Sequence, residues 1–330
     1  MSDHRIGIRG IAKLAGVSVA TVSRVINSPD KVSPATLDSV NHIINKYNYI
    51  PNLNARNLYA KESNSFALFV YDLENPFFIA LVKELNKIAF KHKRTLLICD
   101  TENNADKERE YFLYCQGIRT RGIIVTEGYI NTVFYSESNQ RIAILDRHDG
   151  IKGSCVRSNH RAGIFSAVDY LYNLNHRKFA FAGYTSNFYS VAERRAAFIE
   201  ALDARDIPIN DNYIFEGSMT CQTGKKALDY FCSLSSPPTA IVCANDQVAL
   251  GVFMRAQQIG IRIAEDLSII GFDGCLPDYL NTKITTIRQD IPRIAAELFE
   301  CIFSEDSTPH DSIVDVSLEV GDSCARIPSM

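Results

Sequence analysis

Between residues 63 and 290, short apolar runs alternate with longer amphipathic stretches. No other feature of the 330-residue chain constrains its fold as tightly. Candidate strands lie at 66–71, 95–99, 122–126, 142–145, 179–183, 213–216, 240–243 and 267–272. Helical periodicity fills 77–92, 106–119, 161–174, 191–205, 222–234 and 246–259 between them. Continuous apolar strands separated by amphipathic helices predict parallel sheets covered by helices on both faces. The pattern fits one large sheet or two lobes of four or five strands, and leaves both open. A helix near 292–304 and a late strand near 313–320 close the architecture, with no solenoid-like repeat.

Charge divides the chain where the alternation begins. The whole carries 35 Lys and Arg against 38 Asp and Glu, a formal net charge of −3. Residues 1–62 hold eight basic and four acidic residues, which leaves 27 against 34 in the remaining 268. A basic head of +4 therefore precedes an acidic body of −7, and the mean describes neither. No apolar run approaches the roughly 20 residues of a bilayer span, and the N-terminus has no signal-peptide core. The nine cysteines are scattered without a Cys-x-x-Cys pair, and the seven histidines have no metal-ligand spacing. These features predict reduced core thiols, no metal site and a cytoplasmic location.

Residues 8–27 read Ile-Arg-Gly-Ile-Ala-Lys-Leu-Ala-Gly-Val-Ser-Val-Ala-Thr-Val-Ser-Arg-Val-Ile-Asn. Two helices that cross steeply need a small residue at the crossing, here Ala12. They also need a turn residue at ease with positive φ, here Gly16. Ile11, Ala15, Val17, Val22 and Val25 then face a shared core, and Ser18 is placed to cap the second helix. Val19, Ala20, Ser23 and Arg24 fall on its outward face, the one a recognition helix offers to a major groove. An ordinary helical hairpin inside a bundle would show the same spacing, but not the local basic excess. A third helix is expected at 36–46.

Four motifs in register extend this pattern: Leu14-Ala15-Gly16-Val17-Ser18, Thr21-Val22-Ser23-Arg24-Val25-Ile26-Asn27, Val32-Ser33, and Tyr49-x-Pro51-Asn52-x-x-Ala55-Arg56-x-Leu58. Together they make residues 8–60 resemble the DNA-binding headpiece and hinge of the lactose/galactose repressor family of bacterial transcription regulators. The resemblance continues more loosely through the body. It implies a helix-turn-helix headpiece over 1–50, a hinge over 51–62, and a two-lobed effector-binding and dimerisation domain over 63–330. The first lobe would span about 63–160 plus 290–320, and the second about 161–289, as in periplasmic binding proteins.

Carried onto this chain, the resemblance implies that Val19, Ala20 and Arg24 meet base edges. Ser18, Thr21, Ser23, Asn27 and Ser33 would hold phosphates. In the hinge, Asn52, Ala55 and Arg56 would join the DNA contact, and Leu58 would wedge into a minor-groove step. Two residues depart from the family: Gly7 and Gly10 replace its usual helix-1 cap and acidic residue, and Gly10 weakens a helix interior by roughly 1 kcal/mol relative to Ala.

The body carries no Walker loop, dinucleotide-binding glycines, nucleophile elbow or metal cluster, so nothing points to catalysis or a cofactor. The resemblance implies a ligand in the cleft between lobes, held by Asp72, Phe77, Phe78, Asp146, Arg194, Met219, Asn245 and Asp273. Carboxylates, an amide, a guanidinium and aromatic faces suit a polyol. Each has a plainer reading as well: Asn245-Asp246 as a helix cap, Asp273-Gly274 as a turn, Phe77 and Phe78 as first-turn core residues. Ser158-Asn159 and Gly321-Asp322-Ser323 depart from the family's usual Asp-Asn and Arg-x-Ser.

The expectation is a ligand-switched repressor of a carbohydrate-utilisation operon. It would bind a palindromic operator as a homodimer, its effector being a sugar or sugar phosphate. A purine or other metabolite acting as corepressor is the alternative. A sugar-binding transport protein would share the body but has no use for the head.

Overall fold

In the computed structural model, residues 6–50, 63–127, 135, 138, 140–146, 151, 153–185, 188–276, 282–306, 308–309 and 311–328 are described. The expected hinge, with Asn52, Ala55, Arg56 and Leu58, lies outside them. The chain forms two compact units, Met1–Ser63 and Asn64–Met330.

Among its described residues the head has three helices: α1 (Ile8–Ala15), α2 (Val19–Asn27) and α3 (Pro34–Lys46), with a 3-10 turn at Pro29–Lys31. Gly16 ends α1 at φ +66, the left-handed conformation the turn requires, and Val17 N–H returns to the Ala12 carbonyl at 3.0 Å. Ile11, Ala12, Val22, Val25 and Val40 are buried together, so α3 closes the core that the first two helices begin. α3 starts earlier than periodicity alone predicts because Pro34 occupies its first turn and Ser33 caps it. Gly7 gives α1 no side-chain cap. At Gly10 a Cβ would stand 2.4 Å from Cγ2 of Ile6, which folds back onto the helix and joins the head core. The missing side chain thus admits a hydrophobic contact that partly offsets the lost propensity.

The body runs β1 (Ser65–Val70), α4 (Pro76–Lys91), β2 (Thr95–Asp100), α5 (Ala105–Gly117), β3 (Gly122–Val125), β4 (Arg141–Leu145), β5 (Ser154–Ser158) and α6 (His160–Asn173). It continues with β6 (Phe179–Tyr184), α7 (Tyr189–Asp203), β7 (Ile214–Glu216), α8 (Cys221–Ser233), β8 (Ala240–Cys243) and α9 (Asp246–Ile259). Last come β9 (Ser268–Asp273), β10 (Thr285–Gln289), α10 (Ile291–Phe303), β11 (Asp311–Val314) and β12 (Val316–Glu319). These strands make two sheets of six, ordered β11-β5-β4-β3-β1-β2 and β12-β10-β9-β8-β6-β7. Among the described residues every pairing of these strands is parallel except β10 with β12. The two-lobe alternative is therefore the one realised.

Period-two alternation explains the layers. Phe66, Leu68 and Val70 point to one face of the first sheet, against Leu81 and Leu85 of α4 and Leu298 and Ile302 of α10. Ala67 and Phe69 point to the other, against Phe112 and Cys115 of α5. In the second sheet Phe179 and Phe181 meet α6 and α7, while Ala180 and Ala182 meet α8 and α9. A fully buried Leu, Ile or Phe contributes about 1.5–3 kcal/mol, so these four layers supply most of the body's stability.

Two strands escaped the sequence reading, β5 (Ser-Cys-Val-Arg-Ser) and β10 (Thr-Thr-Ile-Arg-Gln). Both are short and polar, yet most of their residues are buried. The late strand expected at 313–320 breaks at Asp315. Its first half pairs with β5 in the first sheet and its second half with β10 in the other. The 290–320 segment thus divides between the sheets instead of staying with the first. Among the described residues no helix is long and apolar enough to cross a membrane.

Candidate functional site

On the head, the α2 face expected to read DNA points away from the core. Ser18, Val19, Ala20 and Arg24 are exposed, and Thr21 and Ser23 are half-buried. Val22 and Val25 occupy the opposite, buried face. The Ser18 hydroxyl accepts the Thr21 N–H at 3.1 Å and pairs with the Thr21 hydroxyl at 2.9 Å. This cap is intact, so the helix presents its N-terminal turn in a fixed orientation. Ser33 is exposed at the start of α3, and Asn27 closes α2. Seven of the expected DNA-contacting residues therefore sit on two helix starts and the outer face of α2.

In the body, the strand ends converge where the two sheets face each other, the place an open α/β sheet offers a ligand. Asp146 follows β4 and Asp273 ends β9, both on left-handed backbone with φ +63 and +116. Such a conformation costs a non-glycine residue of order 1–3 kcal/mol and is held only by its surroundings. Here the hydrogen-bonding partners hold it. Asp146 Oδ1 accepts the Ser158 N–H at 3.1 Å and meets His160 Nε2 at 2.9 Å. Asp273 Oδ1 accepts from Gln289 Nε2 at 2.8 Å and lies 3.6 Å from Arg194 Nη2.

Arg194, 3% exposed, joins the two carboxylates. Its Nε lies 3.3 Å from His160 Nδ1, and His160 Nε2 faces Asp146. Its Nη1 donates to the Ala244 carbonyl at 2.5 Å, and the guanidinium lies 3.7 Å over the Phe272 ring. A second link crosses the sheets nearby. Glu127, just past β3, accepts the Ser190 N–H at 2.6 Å and the Ser190 hydroxyl at 2.5 Å.

The carboxyls respond differently to this crowding. Burial, then the neighbouring Asp146, pushes Glu127 up to about 8. Burial likewise raises Asp273 to about 7 against the pull of Arg194. Burial also opposes ionisation of Asp146, but His160 and Arg194 overcome it and hold that carboxyl below its ordinary range.

Six of the eight residues expected in the cleft line one inner cavity: Phe77, Phe78, Asp146, Arg194, Met219 and Asp273. That cavity is small, about 30 Å³. An open vestibule of about 650 Å³ adjoins it through Tyr71 and Met219, and Asp72 lines this outer space. Asn245 is not among the lining residues of either space. It caps α9 by accepting the Val248 N–H at 3.0 Å, and donates to the Met219 carbonyl at 3.2 Å. Through the second bond it fixes the backbone of Met219, which lines both the inner cavity and the vestibule.

The residues 7–52 match a sequence profile described as "Bacterial regulatory proteins, lacI family". Residues 168–324 match one described as "Periplasmic binding protein-like domain". The HTH-type transcriptional repressor PurR of Vibrio atlanticus (strain LGP32) is 31% identical over 309 residues, which covers 89% of this chain and 90% of that protein. The chain belongs to the lacI family. The PurR of Vibrio cholerae serotype O1 (strain M66-2) is 30% identical over 311 residues, covering 89% and 90% of the two chains. The lac repressor dimer bound to operator and the anti-inducer ONPF shares the fold at a TM-score of 0.84, with 23% identity over 97% of this chain and 99% of that one. As a lacI-family member the chain is a DNA-binding transcriptional regulator and not an enzyme.

Several residues of this lacI-family cleft were absent from the sequence reading: Tyr71, Glu127, Ser190, Gln289, and His160 behind them. Glu127 could have been found, since it follows a recognised strand just as Asp72 and Asp146 do. Gln289 could not, because its strand was not recognised. The two departures from the family pattern have structural partners. Ser158 donates its hydroxyl to Gln289 Oε1, and Asn159 caps α6 by accepting the Ala162 N–H at 3.2 Å. Asp322 accepts the Lys283 N–H at 3.1 Å, and Ser323 donates to the Ile269 carbonyl at 2.6 Å.

Proposed function

We propose that this chain is a repressor whose operator affinity is set by a small polyol bound in the cleft. The observation that carries the reading is the Arg194 node. One buried guanidinium ties the ends of β4, β8 and β9 together through His160, the Ala244 carbonyl and Asp273. A ligand that engages Asp146 or Asp273 acts on the same network that couples the sheets, so its binding energy favours one arrangement of the lobes over another. Carboxylates accept hydrogen bonds from hydroxyls and repel phosphate, which favours a free sugar over a sugar phosphate.

The head would read the operator with Val19, Ala20 and Arg24, while Ser18, Thr21, Ser23, Asn27 and Ser33 hold phosphate. Residues 51–62 would serve as the hinge, with Asn52, Ala55, Arg56 and Leu58 in the minor groove. One headpiece covers too little DNA for useful affinity, so the working form is a homodimer on a palindromic site.

A purine acting as corepressor is the second reading. The curated relatives are called PurR. In addition, the rings of Tyr71 and Phe188, 4.8 Å apart on the vestibule wall, offer faces for a planar base. A thermal-shift screen of sugars, sugar phosphates and nucleobases separates the two. Each hit is then added to operator binding, with the operator obtained by selection from random duplexes. A nucleobase that stabilises the chain and tightens operator binding, with no sugar active, would replace the polyol reading.

A further inference from the structure

Of the seven helices described in the body, six are capped by a residue at their own start. Asn75, Asn104, Asn159, Thr220, Asn245 and Asp290 each accept a first-turn N–H with the side chain. α7 is the exception. Its N-cap is Phe188, whose side chain offers no acceptor, and its first turn holds no acidic residue. A helix start leaves N–H groups without intrahelical partners, and a buried one left unpaired is costly. Ser190, in this first turn, is buried.

The acceptor comes from the other lobe. Glu127, 63 residues away and just past β3, takes the Ser190 N–H on one oxygen and the Ser190 hydroxyl on the other. The two residues before Ser190 rest on the same lobe. The Phe188 ring stands 4.8 Å from that of Tyr71, past β1, and the Tyr189 hydroxyl lies 3.5 Å from Arg157 Nη1 of β5. Three consecutive residues thus dock α7 on the first sheet, while Ala197 and Phe198 further along it pack on the second.

We propose that Glu127 caps α7 from the facing lobe, which makes the first turn of α7 a switch segment, ordered while the two sheets hold this contact and frayed when they part. The coupling is reciprocal. Parting the lobes uncovers the Ser190 N–H, and weakening the cap lowers the cost of parting them. Arg194 stands one turn further along α7 and holds Asp273 and the Ala244 carbonyl, so the order of this turn reaches the centre of the cleft. The coupling belongs to the chain itself and holds whichever ligand fills the cleft, so it goes beyond the effector reading above.

Hydrogen exchange of the full-length, ligand-free protein at pH 7 tests the cap over residues 189–193. The start of α8, capped by its own Thr220, is the reference. Glu127→Ala should speed exchange over 189–193 about five- to thirtyfold, the range of a lost cap, and leave the α8 start unchanged. Glu127→Asp withdraws the carboxyl by one methylene, and the same local acceleration is expected of it. Glu127→Gln keeps a carbonyl oxygen for the N–H and should exchange close to the parent. No acceleration in the Ala and Asp variants, or equal acceleration at both helix starts, overturns the cap. The lobes are followed separately, by single-molecule energy transfer between dyes on azide-bearing residues placed at Asp106 and Lys226, exposed positions of the first and second lobe. Glu127→Ala should add a longer-distance population that Glu127→Gln lacks. An unchanged distance distribution in Glu127→Ala, beside faster exchange over 189–193, overturns the coupling.

Discussion

Glu127 and Ser190 meet across the two sheets through two short hydrogen bonds, backbone N–H to Oε1 at 2.6 Å and hydroxyl to Oε2 at 2.5 Å. The first follows a strand of one sheet and the second begins the helix that packs on the other. The contact therefore links the two sheets at a carboxyl whose ionisation is opposed by burial.

That opposition makes stability pH-dependent with a definite sign. Glu127 titrates near 8 in the folded chain, above its ordinary value, so the folded state binds the extra proton and is favoured at low pH. Asp273, near 7, acts in the same direction. Their contribution is complete below the ordinary carboxyl range and is lost as pH rises towards 7 to 8. The melting temperature of the ligand-free body should fall across this window. Glu127→Gln should flatten the slope, with its largest relative gain at pH 8, and a slope unchanged by that substitution would refute the assignment.

Ser190→Ala deletes the hydroxyl donor but keeps the N–H. The expected cost is about 1–2 kcal/mol of body stability, read by denaturant unfolding at pH 7. A neutral result would mean that water replaces the hydroxyl without loss.

Arg24→Ala should remove about 1–3 kcal/mol of discrimination between operator and random duplex while ligand-induced thermal shifts persist. Retained selectivity, measured by competition binding at fixed salt, would move base reading elsewhere on the head.

Gly16→Ala tests the turn. At φ +66 a side chain is strained, and the head should lose about 1 kcal/mol. Hydrogen exchange over 8–27 in the full chain reports it as faster exchange in α1 and α2, with the body unchanged.

Much of this molecule was legible in its sequence because apolar runs such as 66–71 and 240–243 can be little else than buried strands. The head was legible because Gly16, Ser18 and the valines around them each have one geometric use. β5 and β10 stayed hidden for the reason that makes them useful. Ser158, Thr286 and Gln289 are polar residues in buried strands, each satisfied by another polar side chain: Ser158 with Gln289, Gln289 with Asp273, and Thr286 Oγ1 with Asp246 at 2.6 Å. Hydropathy reads such residues as loop. The site was half-visible for the same reason: the acids at strand ends stood out, but the neutral groups that orient them did not. Asn245 illustrates a residue whose structural use sequence alone does not separate from a ligand role: it caps α9 and holds the Met219 carbonyl.

Among the described residues the chain passes between the sheets at three places: at Asn159 between β5 and α6, at Asp290 between β10 and α10, and at Asp315 between β11 and β12. Asn159 and Asp315 are themselves bonded, Nδ2 to Oδ1 at 3.3 Å. Three adjacent tethers of about one residue each leave little freedom to slide or separate. They act as the spine of a book, so the lobes can turn about one line but cannot drift apart. A displacement of an ångström beside the spine becomes several at the page edges, which gives the cleft mechanical gain that needs no long-range pathway through the core.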